Sequence, residues 1–191
     1  ALYRINLTAT RLENKGKYTI NIKYEGEETI AQIAERVVKV AKAQYPLLEA
    51  RLGEGMTPRG INADGSMKER NVGSWTSGFF PGSLWYIYEF TGNEEVKAEA
   101  AKYTGLLNPI REYTGTHDLG FMMNCSYGNA LRLSPNDTSP AVLIQTADNL
   151  CSRFDEKIGC IRSWDFGHWN FPVIIDNMMN LDLLFKASEL S

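Results

Sequence analysis

Histidine and cysteine are scarce in this chain. Two histidines, His117 and His168, and three cysteines, Cys125, Cys151 and Cys160, show no CxxC spacing and no paired framework, which argues against a structural zinc site. A basic surplus is missing as well. Twenty Lys and Arg stand against 23 Asp and Glu, for a net charge of -3, so no global positive field is present to hold nucleic acid. Long apolar runs are absent too: Arg, Asp, Glu or Lys interrupts every candidate for a membrane span. No strict repeat period is visible, which weakens TPR-like or HEAT-like solenoids.

What remains is ordinary globular composition. Hydrophobic residues make up 43% of the 191 positions and charged residues 23%, enough for one domain with a substantial core or for part of a larger one. Residues 1–27 stand apart. Leu2 to Thr8 and Tyr18 to Tyr24 carry β-branched and aromatic residues with partial alternation around a turn-like "ENKGK", the pattern of a short N-terminal β-hairpin. Residues 28–191 are helical in pattern. Ile30, Ile33, Ala34, Val37, Val38, Val40 and Ala41 share one face, and Pro46 falls near the end of that helix. "LGEGMTPRGINADGSMKERNVG" reads as a long loop. Ser74 is placed to cap a second helix, which Gly92 closes, and Asn93 with two glutamates opens a third, bent or shortened by Pro109. "DLGFMMNCSYGNALRL" gives a fourth, Pro140 begins a fifth, "GCIRSWDFGHWNFP" reads as loop or short strand, and "FPVIIDNMMNLDLLFKAS" gives a sixth. Helices with charged faces alternate with more apolar, Gly- and aromatic-containing ones. That alternation predicts an all-α ring of outer and inner helices joined as hairpins.

The chemistry-bearing residues gather before the inner helices, in "NVGSWTSGFFPGSLW", "THDLGF" and "RSWDFGHWNFPVIIDN". Trp75, His117, Asp118, Trp164, His168, Trp169 and Asp176 all fall at or just before helix starts. Tryptophan and aspartate converging on one rim is the composition of a carbohydrate site, where aromatic faces cover sugar C–H surfaces and carboxylates supply acid, base and hydroxyl recognition. Each residue alone has a plainer reading. Asp118 is a helix cap, with His117 sharing it; Trp75 and Trp164 are core or rim aromatics; His168 belongs to a loop; Met178 and Met179 are packing residues. Asp176 resists that treatment, because Val173, Ile174, Ile175, Met178 and Met179 surround it in sequence. A carboxylate there costs free energy unless it is paired, hydrogen-bonded or protonated. Asp176 and Asn180 share a helix face at i, i+4, which suits a satisfied core network or a site equally.

Taken together, "SWTSGFFPGSLWYIYEFTGN", "HDLGFMMNCSYGNALRL", "IRSWDF" and "IIDNMMNLDLLFKAS" resemble the unsaturated glucuronyl hydrolases, glycoside hydrolase family 88, in order and spacing. The resemblance covers Ser74 to Ser188. It implies an (α/α)6 barrel of six helical hairpins, of which this chain supplies about the first three, with residues 28–191 as the N-terminal half of the catalytic domain. The rest of the barrel would come from a longer chain or a partner chain. It implies that Asp118 and Asp176 match the family's two essential aspartates, and that Trp75 and Trp164 match its aromatic substrate contacts. His117 and Asn180 are expected to join the substrate contacts. No metal or organic cofactor is implied. "DFGHWNFP" departs from the glycine-rich loop of some members, which leaves substrate preference and the role of His168 open. The Ala1 start leans towards a periplasmic location, with the cytoplasm as the alternative.

The implied reaction is hydration of the 4,5 double bond of a non-reducing-end unsaturated uronic acid in lyase-generated oligosaccharides, with release of the saccharide. It needs a carboxyl group protonated near neutral pH. Apolar neighbours and a second carboxylate both raise a carboxyl pKa, so Asp176 is expected to act as acid and then base, with Asp118 holding the sugar. Three alternatives stand beside this: an unsaturated rhamnogalacturonyl hydrolase of the same barrel fold, a sugar epimerase on an α/α barrel, and a non-catalytic helical-repeat or carbohydrate-binding protein.

Overall fold

The structure is a computed structural model. It describes the backbone of residues 4–11 and 18–25 and the whole of residues 28–191. The chain divides into two compact units, Ala1–Gln44 and Tyr45–Ser191. In the first, β1 (Arg4–Arg11) and β2 (Tyr18–Glu25) pair antiparallel from Arg4 opposite Glu25 to Arg11 opposite Tyr18. This is the expected N-terminal hairpin; its "ENKGK" turn lies outside the described residues. Helix α1 (Ile30–Glu49) begins in this unit and runs past its boundary. Pro46 sits in its last turn, where few downstream bonds depend on it.

The second unit is built from helical hairpins. The segment expected to be a loop instead opens with a β-hairpin, β3 (Thr57–Ile61) and β4 (Met67–Arg70), bulged between Pro58 and Gly60. Its turn is closed by Asp64, whose Oδ1 accepts from Ser66 N at 2.9 Å, and by Gly65 at φ 82°. Helix α2 runs Phe79–Thr91, so Ser74 does not cap it: the Ser74 hydroxyl lies 3.0 Å from that of Thr76, and Gly78 begins the helix without a side-chain cap. Gly92 ends α2 at φ 63° with its N–H on Tyr88 O. Asn93 then caps α3 (Glu94–Leu106), accepting from Glu95 N and Val96 N. Trp85 Nε1 donates to Thr104 Oγ1 at 3.0 Å, joining α2 and α3 in a core with Phe80, Leu84, Ala100 and Tyr103. A 3-10 turn at Asn108–Glu112 follows, as Pro109 dictates.

The fourth element is not a plain α-helix. Gly120–Gly128 forms a π-helix that passes into α4 (Asn129–Leu133). Side chains serve the backbone groups that the wider ladder disturbs: Ser126 Oγ donates to Met122 O at 2.6 Å, Asn129 Nδ2 to Cys125 O at 2.9 Å, and Asn180 Oδ1 accepts Phe121 N at 2.9 Å. Glycines let α2 lie backbone-to-backbone on this element. A Cβ at Gly78 would stand 2.2 Å from the carbonyl oxygens of Phe121 and Met122, and one at Gly82 would stand 2.9 Å from Cys125 O. Helix α5 (Thr138–Cys151) is capped by Asn136 Oδ1, and the short pair β5 (Phe154–Asp155) and β6 (Cys160–Ile161) follows. The expected sixth helix starts late and is split: α6 is Asn177–Asn180, α7 is Asp182–Leu190, and Phe171–Ile175 is not helical. Leu107, Leu119, Met122, Met123, Val142, Leu143, Leu150 and Leu183 form the main core between these elements.

Candidate active site

Three stretches from two loops meet at one serine. His117 N donates to Ser163 O at 3.0 Å, Ser163 N to Pro172 O at 2.8 Å, and Ile174 N to Ser163 Oγ at 3.2 Å. Ser163 is fully buried, so these bonds are made out of water and fasten "THD", "RSW" and "FPVI" together. Nothing in the sequence marks Ser163 for this work, since it lies between two more conspicuous residues.

The loops bring Asp118 and Asp176 to the same nitrogen of His117. His117 is buried, and its Nε2 stands 3.4 Å from Asp118 Oδ1 and 3.6 Å from Asp176 Oδ1, charge contacts rather than short hydrogen bonds. Asp118 does not act as a cap. The hydrogen bond its carboxylate makes is from the Thr116 hydroxyl to Oδ2 at 2.6 Å, and the same hydroxyl accepts Asp118 N at 3.2 Å. Burial raises the Asp118 pKa above its ordinary value. The Thr116 bond and the His117 charge oppose that rise, and the Asp176 charge adds to it. Thr116 was legible only as a hydroxyl two residues before a carboxylate.

Asp176 is placed differently from expectation. Its side chain is 36% exposed, while Oδ1 is enclosed with no hydrogen-bond partner among the described residues. The apolar residues beside it in sequence give it no apolar shell: Ile175 is 87% exposed and Met179 67%. Neighbours in the chain are here not neighbours in space.

Asn180, expected to touch substrate, is fully buried and its amide is already used. Oδ1 accepts Phe121 N, and Nδ2 donates to Asp176 O at 3.4 Å. It therefore joins the element after Asp118 to the element after Asp176. Gly120 makes room for it, since a Cβ there would stand 2.5 Å from Asn180 Cα. Asn180→Ala is expected to cost about 1–3 kcal/mol of stability, because Phe121 N–H would be left buried without an acceptor. Urea unfolding of the full-length protein measures it.

Both tryptophans lie at the edges. The Trp164 ring centroid is 6.4 Å from that of His117 at 76°, an edge-to-face contact that places it beside the carboxylates. Trp75, 43% exposed, belongs to a neighbouring cluster, 5.9 Å from Phe121 and 6.0 Å from Phe79, with the Arg59 guanidinium 5.1 Å from its ring centre. His168 leans on Trp169 at 4.2 Å. Ligand atoms of His117, Asp118 and Asp176 all lie within 4.8 Å of one another; among the described residues they are the three side chains able to share a metal ion. A separate hollow of about 550 Å³, lined mainly by Ile161, Val173, Ile174, Ile175, Met178 and Leu184, has the Cys160 thiol as its titratable group and no carboxyl.

Comparison with known proteins gives a consistent picture. No family model matches the chain. An unsaturated glucuronyl hydrolase of Formosa agariphila is 48% identical over 120 residues, 61% of this chain and 30% of that protein. An unsaturated chondroitin disaccharide hydrolase of Streptococcus agalactiae is 31% identical over 166 residues, 84% of this chain and 41% of that protein. Among solved structures, an unsaturated glucuronyl hydrolase specific for heparin matches at 46% identity and TM-score 0.78, over 82% of this chain and 42% of that one. One from Streptococcus agalactiae matches at 26% identity and TM-score 0.70, over 83% and 41%. The expected fold class holds: the described hairpins are part of the (α/α)6 barrel of these structures. The chain spans about two fifths of the length of the solved relatives it matches.

Proposed function

We infer the activity from a family premise: this chain belongs to the unsaturated glucuronyl hydrolases, of which it spans a part. We propose that the protein it represents hydrates the 4,5 double bond of an unsaturated uronic acid and so releases the sugar attached to it. The observation that carries this reading is Asp118 and Asp176 set around one buried histidine, with ligand atoms within 4.8 Å, beside the aromatic ring of Trp164.

Such a uronate is an enol ether, with C4=C5 joined to the ring oxygen. Asp176 gives a proton to C4, and positive charge develops at C5 and the ring oxygen. Water adds to C5 and returns a proton to the Asp176 carboxylate. The C5 hemiketal opens to a ketone, leaving a hemiacetal at C1 that expels the neighbouring sugar as an alcohol. One water is consumed and no electron changes hands. Geometry, rather than an apolar shell, favours Asp176 for proton transfer. It is the more exposed carboxyl, whereas Asp118 is fixed by Thr116. Asp118 holds the sugar hydroxyls, and the buried His117 positions the two carboxyls. Burial raises the Asp118 pKa, and the Asp176 charge beside it adds to the rise.

The relatives act on chondroitin disaccharides in one case and are specific for heparin in another, so unsaturated glycosaminoglycan disaccharides are the proposed substrate class. The remainder of the barrel is proposed to come from a longer chain. The test is near-ultraviolet absorbance. The full-length protein is expected to bleach unsaturated chondroitin or heparin disaccharides, because the conjugated double bond absorbs and the hydrated product does not. Bleaching of pectin-derived unsaturated disaccharides alone would reassign the substrate to the rhamnogalacturonyl type. Binding without bleaching of any of them would overturn the enzymatic reading.

A further inference from the structure

The loop after Trp164 displays aromatic rings that neither the core nor the carboxylates explain. Phe166 is 71% exposed and Trp169 52%. Phe166 stacks on Trp164 at 5.6 Å and 20°, and Trp169 meets Trp164 at 6.0 Å and 76°. Trp164 in turn contacts His117, which meets both Asp118 and Asp176. The rings therefore form an aromatic corner that starts at the reacting groups and leads outward, with the Phe166 face near-parallel to Trp164 and the Trp169 face steeply inclined to it.

The corner is fastened at its base. Asp165, between Trp164 and Phe166, accepts from Arg153 Nη1 at 2.9 Å and lies 3.2 Å from Arg162 Nη1. Arg153 also donates to Arg162 O at 2.8 Å and Thr114 O at 2.7 Å, which ties the loop to the segment that carries His117. Gly167, at φ 86°, turns the chain so that Trp169 folds back; a Cβ there would stand 3.1 Å from the indole. A loop held this firmly, with large aromatic faces turned to solvent, has the properties of a recognition surface.

Resting on the proposed function above, we propose that Phe166 and Trp169 form an aromatic corner platform, one face to stack and one to flank, for the sugar released by the reaction, the pyranose next to the unsaturated uronate. A flat aromatic face suits the C–H face of a pyranose. It makes little demand on the ring's substituents, so this platform would accept leaving sugars that differ in sulfation. Continuity with Trp164 selects a sugar as occupant over a second protein surface.

The experiment compares two substrates on the full-length protein: an unsaturated disaccharide, and the methyl glycoside of the same unsaturated uronate, which has no second ring. Phe166→Ala and Trp169→Ala are each expected to lower the ratio of kcat/KM for the disaccharide to that for the methyl glycoside by about three- to tenfold. The loss should be carried by KM. Phe166→Leu, which keeps apolar bulk without a π face, should lose nearly as much. A ratio unchanged in all three variants overturns the platform, as does an equal fall on both substrates, which would make the loop a support for the reacting groups. If the wild-type protein turns over neither compound, tryptophan fluorescence titration with the disaccharide decides. Saturable binding weakened in the variants keeps the platform while the hydrolase reading fails, and no binding rejects both.

Discussion

Asp176→Asn is expected to reduce turnover of an unsaturated disaccharide by roughly a hundred- to ten-thousand-fold in the full-length protein, with the fold intact. The amide has no proton of carboxyl acidity for C4 and cannot take one from water at C5. Asp118→Asn is expected to fall in the same range for a different reason: the charge that fixes the sugar and shares the pair's proton is gone. Stability separates the two. Burial raises the Asp118 pKa, so the ionised carboxylate destabilises the folded state at neutral pH. That penalty disappears as pH falls below the ordinary value of 3.8, where the group is protonated folded and unfolded alike. Asparagine carries no such penalty and can still accept the Thr116 hydroxyl. Asp118→Asn should therefore raise Tm at neutral pH, with the gain shrinking in acid. An inactive Asp118 variant whose Tm is lower than wild type across the pH range would contradict this account of the site's electrostatics. Wild-type turnover by Asp176→Asn would remove that residue as the acid.

Gly78→Ala is expected to destabilise the fold by roughly 3 kcal/mol or more, an effect of the size reserved for core overpacking. The added Cβ would stand 2.2 Å from two carbonyl oxygens of the π-helix, Phe121 O and Met122 O. Neither is the end of a flexible side chain, so α2 or the π-helix must move as a whole. Gly105→Ala in α3 is the control. Nothing lies within 4 Å of its Cβ, and the change should stabilise by about 0.5–1 kcal/mol through helix propensity. Urea unfolding of both variants measures the difference, and near-equal midpoints would show that the close approach of α2 to the π-helix is not maintained in solution. A moved π-helix also displaces Asp118, so activity should fall with stability in this variant.

The sequence carried the alternation of helix types, the Asn93 cap with its acidic first turn, and the Gly92 stop, because each is a local device decided within a few residues. It carried the clustering of Trp, His and Asp before inner helices for the same reason. It did not carry the start of α2, since Ser74 has a hydroxyl to cap with but turns it to Thr76. It did not carry the π-helix either, whose second N–H is answered by Asn180 from 59 residues away. The β3–β4 hairpin was hidden by a Gly-rich polar composition, although the Asp64–Gly65 turn that closes it is a local signal. The environment of Asp176 is not legible in the sequence, because Ile175 and Met179, close to it in the chain, are exposed in the fold. Asn180 and Ser163 show the same limit: what they join is set by topology.

The bonds made by Ser163 and Asn180 also bear on the order in which the molecule assembles. Helices such as α3 and α5 close contacts a few residues apart, which costs little chain entropy. The Phe121–Asn180 bond closes a loop of 59 residues, and the bonds through Ser163 join the "THD" segment to chain that follows α5. Such closures are favourable only once the intervening helices have condensed. The carboxylate pair is thus a late product of folding and an early casualty of partial opening, so heat or denaturant would silence the chemistry before most of the helical backbone has let go.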